Sequence, residues 1–344
     1  MRLFKGVGGI TQKSKPLVIA EACENHLGNI DIAIKMIEES SKAGADAVKF
    51  QHHLREHEMI RGLAMSANFD EDLYDFLGRC SLKINDHIRL KKCCDSLGIK
   101  YLCTPFCKEA AVELLDYNLI DTAKIGSGEL LDFRLLDYLI SSQIPLILST
   151  GMSTIEEIQS AYDFLKSKDS DFCFLHCVSE YPPNPKDICL DTITFLRERF
   201  VDLIIGFSCH TPDIYTAFAA ITLGANIVEK HVILDKNVSC PDQSVSIEFT
   251  QLKQLVDGIN AIHSGRGFRR NVFENELEIK SWARRILVAK HDIGVGEKLS
   301  QDNLTTLRAG NGISSEYYFH FLGKTVISDI YSGMIISKQM LKDE

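Results

Sequence analysis

Short apolar runs alternate with amphipathic stretches from residue 17 to about residue 263. Eight runs have the length and composition of strands buried on both faces of a parallel sheet. They lie at residues 17–22, 47–51, 99–105, 122–127, 145–151, 172–178, 203–209 and 227–234. A helical pattern follows each run, as in NIDIAIKMIEESSKAG, where apolar residues recur at helical spacing and a glycine closes the stretch. Eight strands alternating with helices predict an α/β fold, a (β/α)8 TIM barrel.

The pattern changes after residue 263. A polar, charged stretch is followed by short strands and turns, which are typical of a small β-rich domain. A length of 344 residues also exceeds that of most single domains. We therefore predict a barrel domain at 1–263, a linker at 264–283 and a small terminal domain at 284–344.

Composition narrows the function classes. The net charge is -9, and the Lys and Arg residues are scattered along the chain, which argues against a nucleic-acid partner. The first residues, MRLFKGVGGITQKSK, lack the apolar core of a signal peptide, and no apolar run is long enough for a bilayer. We expect a cytoplasmic protein without a membrane partner. Its 11 cysteines are an odd number, often placed in apolar segments, which favours buried free thiols over disulfides.

Polar and charged residues occupy the C-terminal ends of the predicted strands, where a buried strand is otherwise apolar. They are Glu21, Lys49, Gln51, Lys124, Ser127, Glu129, Ser149, Thr150, Tyr181, Ser208, His210, Lys230 and His231. Because these strand ends meet at one mouth of a barrel, the buried lysines predict a pocket for phosphate or carboxylate groups. The segment 52–83 is too long for a plain connection, and we expect it to help line this mouth.

Two histidines stand at the ends of neighbouring strands. His210 or His231 alone is more often a hydrogen-bonded polar residue than a metal ligand. Together, the two imidazoles can meet one divalent ion and leave positions open for water and substrate. Two protein ligands favour Mn²⁺ or Mg²⁺ acting as a Lewis acid over a structural zinc ion.

Nine segments carry a family resemblance. They are IAEACENHLGN, AGADAVKFQ, YLCTPF, KIGSGE, LSTGMST, LHCVSEYP, GFSCHT, VEKHVILD and RAGNGIS, in this order between residues 16 and 340. The chain thus resembles the sialic acid synthase family, whose members make nonulosonic acids. The resemblance implies a (β/α)8 barrel joined to a C-terminal SAF (antifreeze-like) domain. It also implies a domain-swapped homodimer in which each small domain covers the barrel of the partner.

The resemblance implies a reaction as well. Family members condense phosphoenolpyruvate with the open-chain aldehyde of an N-acylated hexosamine such as N-acetylmannosamine. Phosphate leaves by C–O cleavage, and Mn²⁺, or alternatively Mg²⁺ or Co²⁺, assists. Products of the N-acetylneuraminate, legionaminate and pseudaminate type share these motifs, so the hexosamine stays open.

The resemblance also implies site residues, because positions in the motifs of this chain match functional positions of the family. The residues at phosphoenolpyruvate-binding positions are Lys49, Lys124, Ser127, Ser149, Ser179 and Ser208. Those at sugar-binding positions are Gln51, Asn68, Tyr181, Asp242, Trp282 and Arg308, of which Arg308 would reach across the dimer. His210 and His231 match metal ligands. Glu21, with Glu129 as a second carboxylate, is the candidate that orients or deprotonates the water adding to C2 of the enolpyruvyl group.

The chain departs from the family at three positions. Cys209 in SCHT replaces a customary acid beside His210, which predicts a changed orientation of that ligand or a changed metal preference. Gln243 in PDQ replaces a His near the sugar, and Ser179 stands where the N-acetylneuraminate enzymes often have Asn.

Two other functions stay open on the sequence alone. One is a Schiff-base aldolase on the same barrel, with Lys124 or Lys230 as the amine. The other is a non-catalytic sugar-binding or ice-binding protein that acts through the terminal domain. The complete set of strand-end residues argues against the second.

Overall fold

The eight predicted strands form one closed parallel sheet in this computed structural model, which describes residues 3–62, 71–269 and 271–342. The strands are β1 Leu17–Glu21, β2 Ala47–His52, β3 Lys100–Pro105, β4 Ala123–Ile125, β5 Leu146–Ser149, β6 Phe172–Cys177, β7 Ile205–Cys209 and β8 Ile227–Ile233. Each strand pairs with the next, and β8 pairs with both β7 and β1, which closes the barrel. The predicted fold is confirmed.

Helices connect consecutive strands and cover the outside of the sheet. In this unit they are α1 Ile30–Ala43, α2 Arg55–Glu58, α3 Leu73–Cys80, α4 Ile84–Leu97, α5 Lys108–Asp116, α6 Phe133–Ser141, α7 Ile155–Ser167, α8 Asp191–Arg199, α9 Tyr215–Thr222 and α10 Phe249–Gly265. Local sequence sets their ends. Asn29 caps α1 by accepting hydrogen bonds from the first-turn amides, and Gly44 ends it at a φ of 84°, a left-handed conformation that favours glycine.

Side chains that point into the barrel form two layers. At the amino ends of the strands the layer is apolar and includes Ile19, Ile147, Leu175 and Ile227, and Phe4 from the hairpin of Leu3–Phe4 with Ile10–Thr11 packs against it. At the carboxyl ends the inward side chains are polar. The strand register aligns Glu21 with Lys49, Ser208 with Glu229, and Glu21 with His231. Functional groups from different strands therefore share one level of the barrel.

The main apolar core lies between the strands and the helices. All eleven cysteines lie in the described part of the chain, and all are free. Most of them are buried, as the sequence predicts. No helix in the described ranges has the length and apolar character required to cross a membrane.

The contact pattern divides the chain into two units, Met1–Arg266 and Gly267–Glu344. The second unit contains α11 Glu274–Ala283, β9 Ile286–Ala289, β10 Leu304–Leu307 and α12 Tyr318–Phe321. Its two strands pair antiparallel, and a separate apolar cluster forms its core.

Candidate active site

A pocket of about 530 Å³ opens at the carboxyl ends of the barrel strands. Thirteen of the predicted site residues line it: Glu21, Lys49, Gln51, Lys124, Ser127, Glu129, Ser149, Ser179, Tyr181, Ser208, His210, His231 and Asp242. Pockets at this end of a barrel are the usual place of substrate binding. The structure therefore brings together side chains that the sequence separates by up to 221 positions (242 − 21).

Lys49 is held between two carboxylates. Its Nζ lies 2.8 Å from Oε2 of Glu21 and 3.3 Å from Oε1 of Glu229, and it donates a hydrogen bond to Oγ1 of Thr104 at 3.1 Å. Burial lowers the pKa of Lys49, but the two carboxylates outweigh this effect and the net pKa lies above its ordinary value. The lysine is therefore charged at neutral pH.

Lys124 has fewer compensating charges. Its Nζ donates to Oγ of Ser149 at 2.8 Å and to the carbonyl oxygen of Ile125 at 3.0 Å, and it lies 3.7 Å from Glu229. Burial lowers its pKa, and Glu229 opposes the shift only in part. An anionic substrate beside this ammonium group would restore the pKa and would itself be bound by it.

Glu229 joins the two lysines, although the sequence did not single it out. Its Oε1 accepts a hydrogen bond from Oγ of Ser208 at 3.2 Å. Burial raises the pKa of Glu229, but Lys124 and Lys49 outweigh it and the net pKa is lowered. The residue lies two positions before His231 on β8, so strict strand alternation is the signal that would have placed it on the inward face.

Three serine side chains line the pocket together with Lys124. The Oγ of Ser127 accepts a hydrogen bond from the amide of Gly151 at 3.1 Å. A Cβ atom at Gly151 would stand 2.3 Å from Oγ of Ser179 and 2.7 Å from Oγ of Ser127, so only glycine fits at this position. Together with Ser149, these hydroxyls give the lysine a set of donors suited to phosphate oxygens.

The histidine rings lie in contact, with centroids 5.2 Å apart. The Nδ1 of His210 is 2.9 Å from the carbonyl oxygen of Val178 and must donate to it, so the lone pair of the neutral ring is on Nε2. Burial lowers the pKa of His210, but Cys177 and this carbonyl outweigh burial and the net pKa is raised. The Nδ1 of His231 is buried without a hydrogen-bond partner in the described ranges. Burial lowers the pKa of His231 well below its ordinary value, so the ring is neutral and free to act as a ligand.

A third and a fourth ligand candidate lie beside His231. Ligand atoms of Cys23, His231 and Asp242 all lie within 4.8 Å of one another, and Oδ2 of Asp242 is 3.9 Å from Nδ1 of His231. Nitrogen, sulfur and carboxylate donors suit a divalent transition metal, so the residues fit such an ion. The sequence did not predict a role for Cys23. Its position directly after β1 is the only signal that pointed to it.

Glu129 is buried at the mouth, and its Oε2 has no hydrogen-bond partner among the residues described. Burial raises the pKa of Glu129 to about 7, with Lys124 opposing. Glu21 differs because it is paired with Lys49. Burial nevertheless raises its pKa as well. Glu129 is thus able to take up a proton near neutral pH, and the proton affinity of Glu21 is also increased.

Lys230 does not belong to the pocket, contrary to the prediction that it contributes to the mouth. Its Nζ contacts the backbone carbonyls of Cys209, Thr211 and Val245. Strand alternation explains the difference, because Glu229 and His231 point inward and the residue between them points to the helix layer. The Schiff-base alternative with Lys230 as the amine therefore fails on geometry.

Cys209 also points away from the metal candidates. Its Sγ lies 3.2 Å from Oγ1 of Thr211, 3.3 Å from Oγ1 of Thr216 and 3.7 Å from Nζ of Lys230. The carbonyl of Val178 orients His210 instead. Cys209 ends β7 with its side chain on the face opposite to that of Ser208, so the geometry does not support an effect on the orientation of His210. The predicted change in metal preference stays a prediction.

Four further predicted positions do not line the pocket or are not among the residues that the structure describes. Gln243 donates to the carbonyl oxygen of Lys236 and does not line the pocket. Asn68 lies outside the described residues. Trp282 and Arg308 belong to the second unit, where the guanidinium carbon lies 5.9 Å from the centre of the indole ring. Their assignment to the sugar stays a prediction.

The long segment after β2 does line the pocket. It contributes Glu58, Met59, Leu73, Phe76 and Leu77, which form an acidic and apolar side of the cavity. Glu24 and His53, from the loops after β1 and β2, also line this side, and the sequence did not predict them as site residues. These residues follow strand ends, which is the one feature that could have drawn attention to them.

Fold and site together define a barrel protein with two buried lysines in its pocket beside a candidate metal cluster. The model of the NeuB family matches residues 36–270, and the model of the SAF domain matches residues 284–342. The chain belongs to the NeuB family. Its terminal domain is a SAF domain, as the sequence predicts.

Named relatives cover nearly the whole chain. The chain is 37% identical over 325 residues to N,N'-diacetyllegionaminic acid synthase of Campylobacter jejuni, which spans 90% of this chain and 95% of the relative. It is 30% identical over 342 residues to pseudaminic acid synthase of the same species, across 95% of this chain and 97% of the relative. The solved N-acetylneuraminic acid synthetase of Leptospira borgpetersenii superposes with a TM-score of 0.71 at 28% identity, covering 81% of this chain and 96% of that one.

These similarities confirm two predictions. The chain is a member of a family of nonulosonic acid synthases that act in the biosynthesis of sialic-type acids. It is an enzyme of the phosphoenolpyruvate-condensing transferase class.

Proposed function

We propose that this enzyme condenses phosphoenolpyruvate with the open-chain aldehyde of an unphosphorylated N-acylated hexosamine, giving a nine-carbon 2-keto acid and phosphate. The arrangement of Lys49, Lys124 and Glu229 beside His210 and His231 in one pocket is the observation that carries the proposal. This arrangement supports an anion site beside a metal site, which the condensation of an anionic enol with an aldehyde would require.

The anion site would hold phosphoenolpyruvate. Lys124 and the hydroxyls of Ser127, Ser149 and Ser179 would bind the phosphate and orient it for departure. Lys49, with Ser208 nearby, would bind the carboxylate of the substrate. Both ammonium groups are already fixed by protein partners, so little reorganisation is required when the substrate binds.

The bond changes involve the enol, the aldehyde and one water. C3 of phosphoenolpyruvate forms a bond with C1 of the sugar, and the aldehyde oxygen takes up a proton. Water adds to C2, and the C2–O bond to phosphate breaks, which leaves the 2-keto group. Of the two protons of this water, one ends on the former aldehyde oxygen and the other on the departing phosphate. Glu21, next to Lys49, would accept the proton of this water, while Gln51 holds the second carboxylate oxygen at 3.0 Å.

His210 and His231, with Asp242 and Cys23 near them, would hold a divalent ion, for which Mn²⁺ is the first candidate and Mg²⁺ or Co²⁺ are alternatives. Such an ion, when bound, polarises a carbonyl oxygen. Asp242, Gln51 and Tyr181 would position the sugar, and the ring of Tyr181 stacks on His210 with centroids 4.4 Å apart. Asn68, Trp282 and Arg308 stay proposed sugar contacts.

The acceptor is proposed to be of the legionaminate or pseudaminate type, and the 37% identity to a legionaminic acid synthase, against 28% and 30% to two N-acetylneuraminate-9-phosphate synthases, supports the legionaminate type. N-acetylmannosamine is the alternative. A cytoplasmic, domain-swapped homodimer is the proposed state of the enzyme. A Schiff base on Lys124 is the remaining second mechanism, because this amine lies in the pocket and burial lowers its pKa.

The test is release of phosphate from phosphoenolpyruvate with a panel of N-acylated hexosamines and Mn²⁺, with mass spectrometry of the nine-carbon product. Inactivation by EDTA and recovery with Mn²⁺ would support the metal-assisted mechanism. Reduction of a pyruvate adduct on Lys124 by borohydride, with activity insensitive to EDTA, would support the Schiff base. No phosphate release with any hexosamine would refute the proposed function.

Metal binding has its own readout. We expect Mn²⁺ to raise the melting temperature of the wild-type protein, because a ligand at 100 times its Kd stabilises a fold by about 2.7 kcal/mol. His231→Ala should abolish this rise, whereas His291→Ala, at an exposed histidine of the second unit, should retain it. An equal rise in both variants would contradict the metal assignment.

A further inference from the structure

One carboxyl group of the pocket lacks a partner. Glu24 follows β1, lines the pocket and exposes only 7% of its side chain. Neither carboxylate oxygen has a hydrogen-bond partner among residues 3–62, 71–269 and 271–342. The nearest polar atoms are Nε2 of His26 at 3.7 Å and Nε2 of His53 at 3.9 Å, which are both too distant for a hydrogen bond.

Both neighbouring histidines are engaged elsewhere. Nδ1 of His26 accepts a hydrogen bond from the amide of Gly28 at 3.0 Å, and burial lowers the pKa of His26 to about 4, so the ring is uncharged. The ring of His53 lies between Oε2 of Glu58 at 2.8 Å and Oε1 of Gln51 at 3.0 Å. Neither ring therefore neutralises the carboxyl group of Glu24.

The other acidic side chains of the pocket are compensated. Glu21 and Glu229 lie against lysines, and Glu58 lies against a histidine. Asp242 belongs to the candidate metal cluster. Burial raises the pKa of Glu129 to about 7, so this side chain is mainly uncharged at a pH below that value. Burial, with the nearby acids Asp242, Glu21 and Glu58, raises the pKa of Glu24 well above its ordinary value. A positive group brought by the substrate would reverse this shift and pair with the one carboxyl group that has no partner.

The surroundings of Glu24 strengthen such a contact. Met59, Leu73, Phe76 and Leu77 pack together and form an apolar wall of the same pocket. An apolar wall excludes water and lowers the local dielectric constant, which increases the attraction between opposite charges. The two lysines of the pocket are both engaged at the phosphoenolpyruvate end, where Lys49 contacts Glu21 and Lys124 contacts Ser149.

We propose that Glu24 is a specificity-determining residue that binds a basic nitrogen substituent, an ammonium or amidinium group, on the acceptor sugar. The inference rests on the proposed function, because the acceptor must enter this pocket beside phosphoenolpyruvate. A carboxylate binds a cationic N–H donor more strongly than a neutral amide or hydroxyl. A phosphate at the same place would meet the acidic side chains of Glu24 and Glu58 instead of the cationic donors that a phosphate requires.

The experiment measures kcat/KM for phosphate release with the full-length enzyme, Mn²⁺ and four acceptors of one stereochemistry. They are 2-acetamido hexoses that carry an amino, acetamido, hydroxyl or phosphate group, tested at carbon 4 and at carbon 6. We expect the wild-type enzyme to prefer the amino acceptor over the hydroxyl acceptor by about tenfold to a hundredfold, the size of one charge-assisted hydrogen bond. Glu24→Gln should reduce this preference to less than about threefold.

Glu156→Gln is the matched control, since it removes the same charge at an exposed site on α7 and should keep the wild-type preference. The inference fails if the kcat/KM of the wild-type enzyme for the hydroxyl, acetamido or phosphate acceptor equals its kcat/KM for the amino acceptor. It also fails if Glu24→Gln keeps the preference. Turnover of some acceptors without discrimination would reject the role of Glu24 and leave the synthase function standing, whereas absence of turnover with every acceptor would reject both.

Discussion

At the scale of single residues, the ionisation of buried carboxyl groups controls the pocket. Glu21 and Glu229 form ion pairs with lysines, whereas Lys124 and a backbone hydrogen bond oppose the effect of burial on Glu129 only in part. The pKa of Glu129, about 7, follows from this difference. Its charge therefore changes within the physiological range of pH, at the end of the pocket where we propose that phosphate binds.

This leads to a prediction about pH. Below pH 7 Glu129 is mainly protonated and neutral, and above pH 7 it is an anion that repels phosphoenolpyruvate. The KM for phosphoenolpyruvate should therefore rise above about pH 7 in the wild-type enzyme. Glu129→Gln should remove the rise, and Glu156→Gln should not. Steady-state kinetics from pH 6 to 9 provide the measurement, and an unchanged pH profile in Glu129→Gln would contradict the assignment.

Single residues were predicted from the sequence where an unusual type stands in an apolar run. Lys49 and Lys124 were recognised in this way, because a buried ammonium group requires an anion. Glu229 was missed although it bridges both lysines, since its neighbour Lys230 is equally unusual and the inward face was not assigned. Glu24 was missed because an acid in a loop is ordinary until the structure shows that it is buried.

At the scale of elements, β8 carries two kinds of chemistry on its two faces. Glu229 and His231 face the pocket. Lys230, between them, donates hydrogen bonds to the carbonyl oxygens of Thr211 after β7 and of Val245. Inward positions should therefore affect turnover, and the outward position should affect stability.

A pair of lysine variants tests this separation. Lys230→Met removes a donor from three buried backbone carbonyls and should lower the free energy of unfolding by about 3 kcal/mol, with kcat/KM of the folded protein nearly unchanged. Lys124→Met should leave the unfolding free energy similar and reduce kcat/KM by about a thousandfold, as loss of a preorganised cation at the reacting phosphate does. Denaturation by urea and phosphate release measure the two quantities. Loss of turnover in folded Lys230→Met would contradict the assignment.

The departure at position 209 leads to an expectation that differs from the one drawn from the sequence. An aspartate there would lie beside Lys230 and supply a counter-charge in the helix layer. Cys209→Asp should therefore leave the metal dependence of turnover unchanged and act on thermal stability. Activity measured against Mn²⁺, Mg²⁺ and Co²⁺ gives the comparison. A changed order of the three metals would show that position 209 does influence His210.

Strands were predicted to within two residues at each end, since runs of apolar residues between helical patterns are characteristic of a parallel barrel. Which residues at each strand end face the pocket could not be predicted as well. Cys209 and Lys230 stand one position from true pocket residues, and a shift of one residue reverses the face of a strand. The loops after β1 and β2 have no such periodicity, so their part of the site required the structure.

At the scale of the whole molecule, the proposed site residues come from two units of the chain. The barrel unit contains the lysines, carboxylates and histidines, and the second unit contains Trp282 and Arg308, whose contact with the sugar is a proposal. The proposed domain swap would make each site depend on both chains of a dimer.

Mixing two inactive variants tests this dependence. Lys124→Met and Arg308→Ala should each be inactive as homodimers. If the SAF domain serves the barrel of the partner, random reassociation gives half heterodimers, each with one intact site, and so about a quarter of wild-type activity. Recovery should depend on subunit exchange, which can be followed by native mass spectrometry. Exchange without recovered activity would refute the swap.

The two layers inside the barrel have a consequence for how this enzyme could change its substrate. The apolar layer around Ile19 and Leu175 lies below the polar layer and shares no residues with the acceptor end of the pocket. Substitutions in the loops after β1 and β2 can therefore change which sugar is preferred without reducing the packing of the apolar layer. Lineages that diverge in acceptor should differ mainly in these loops, while the interior of the barrel drifts only among side chains of similar volume.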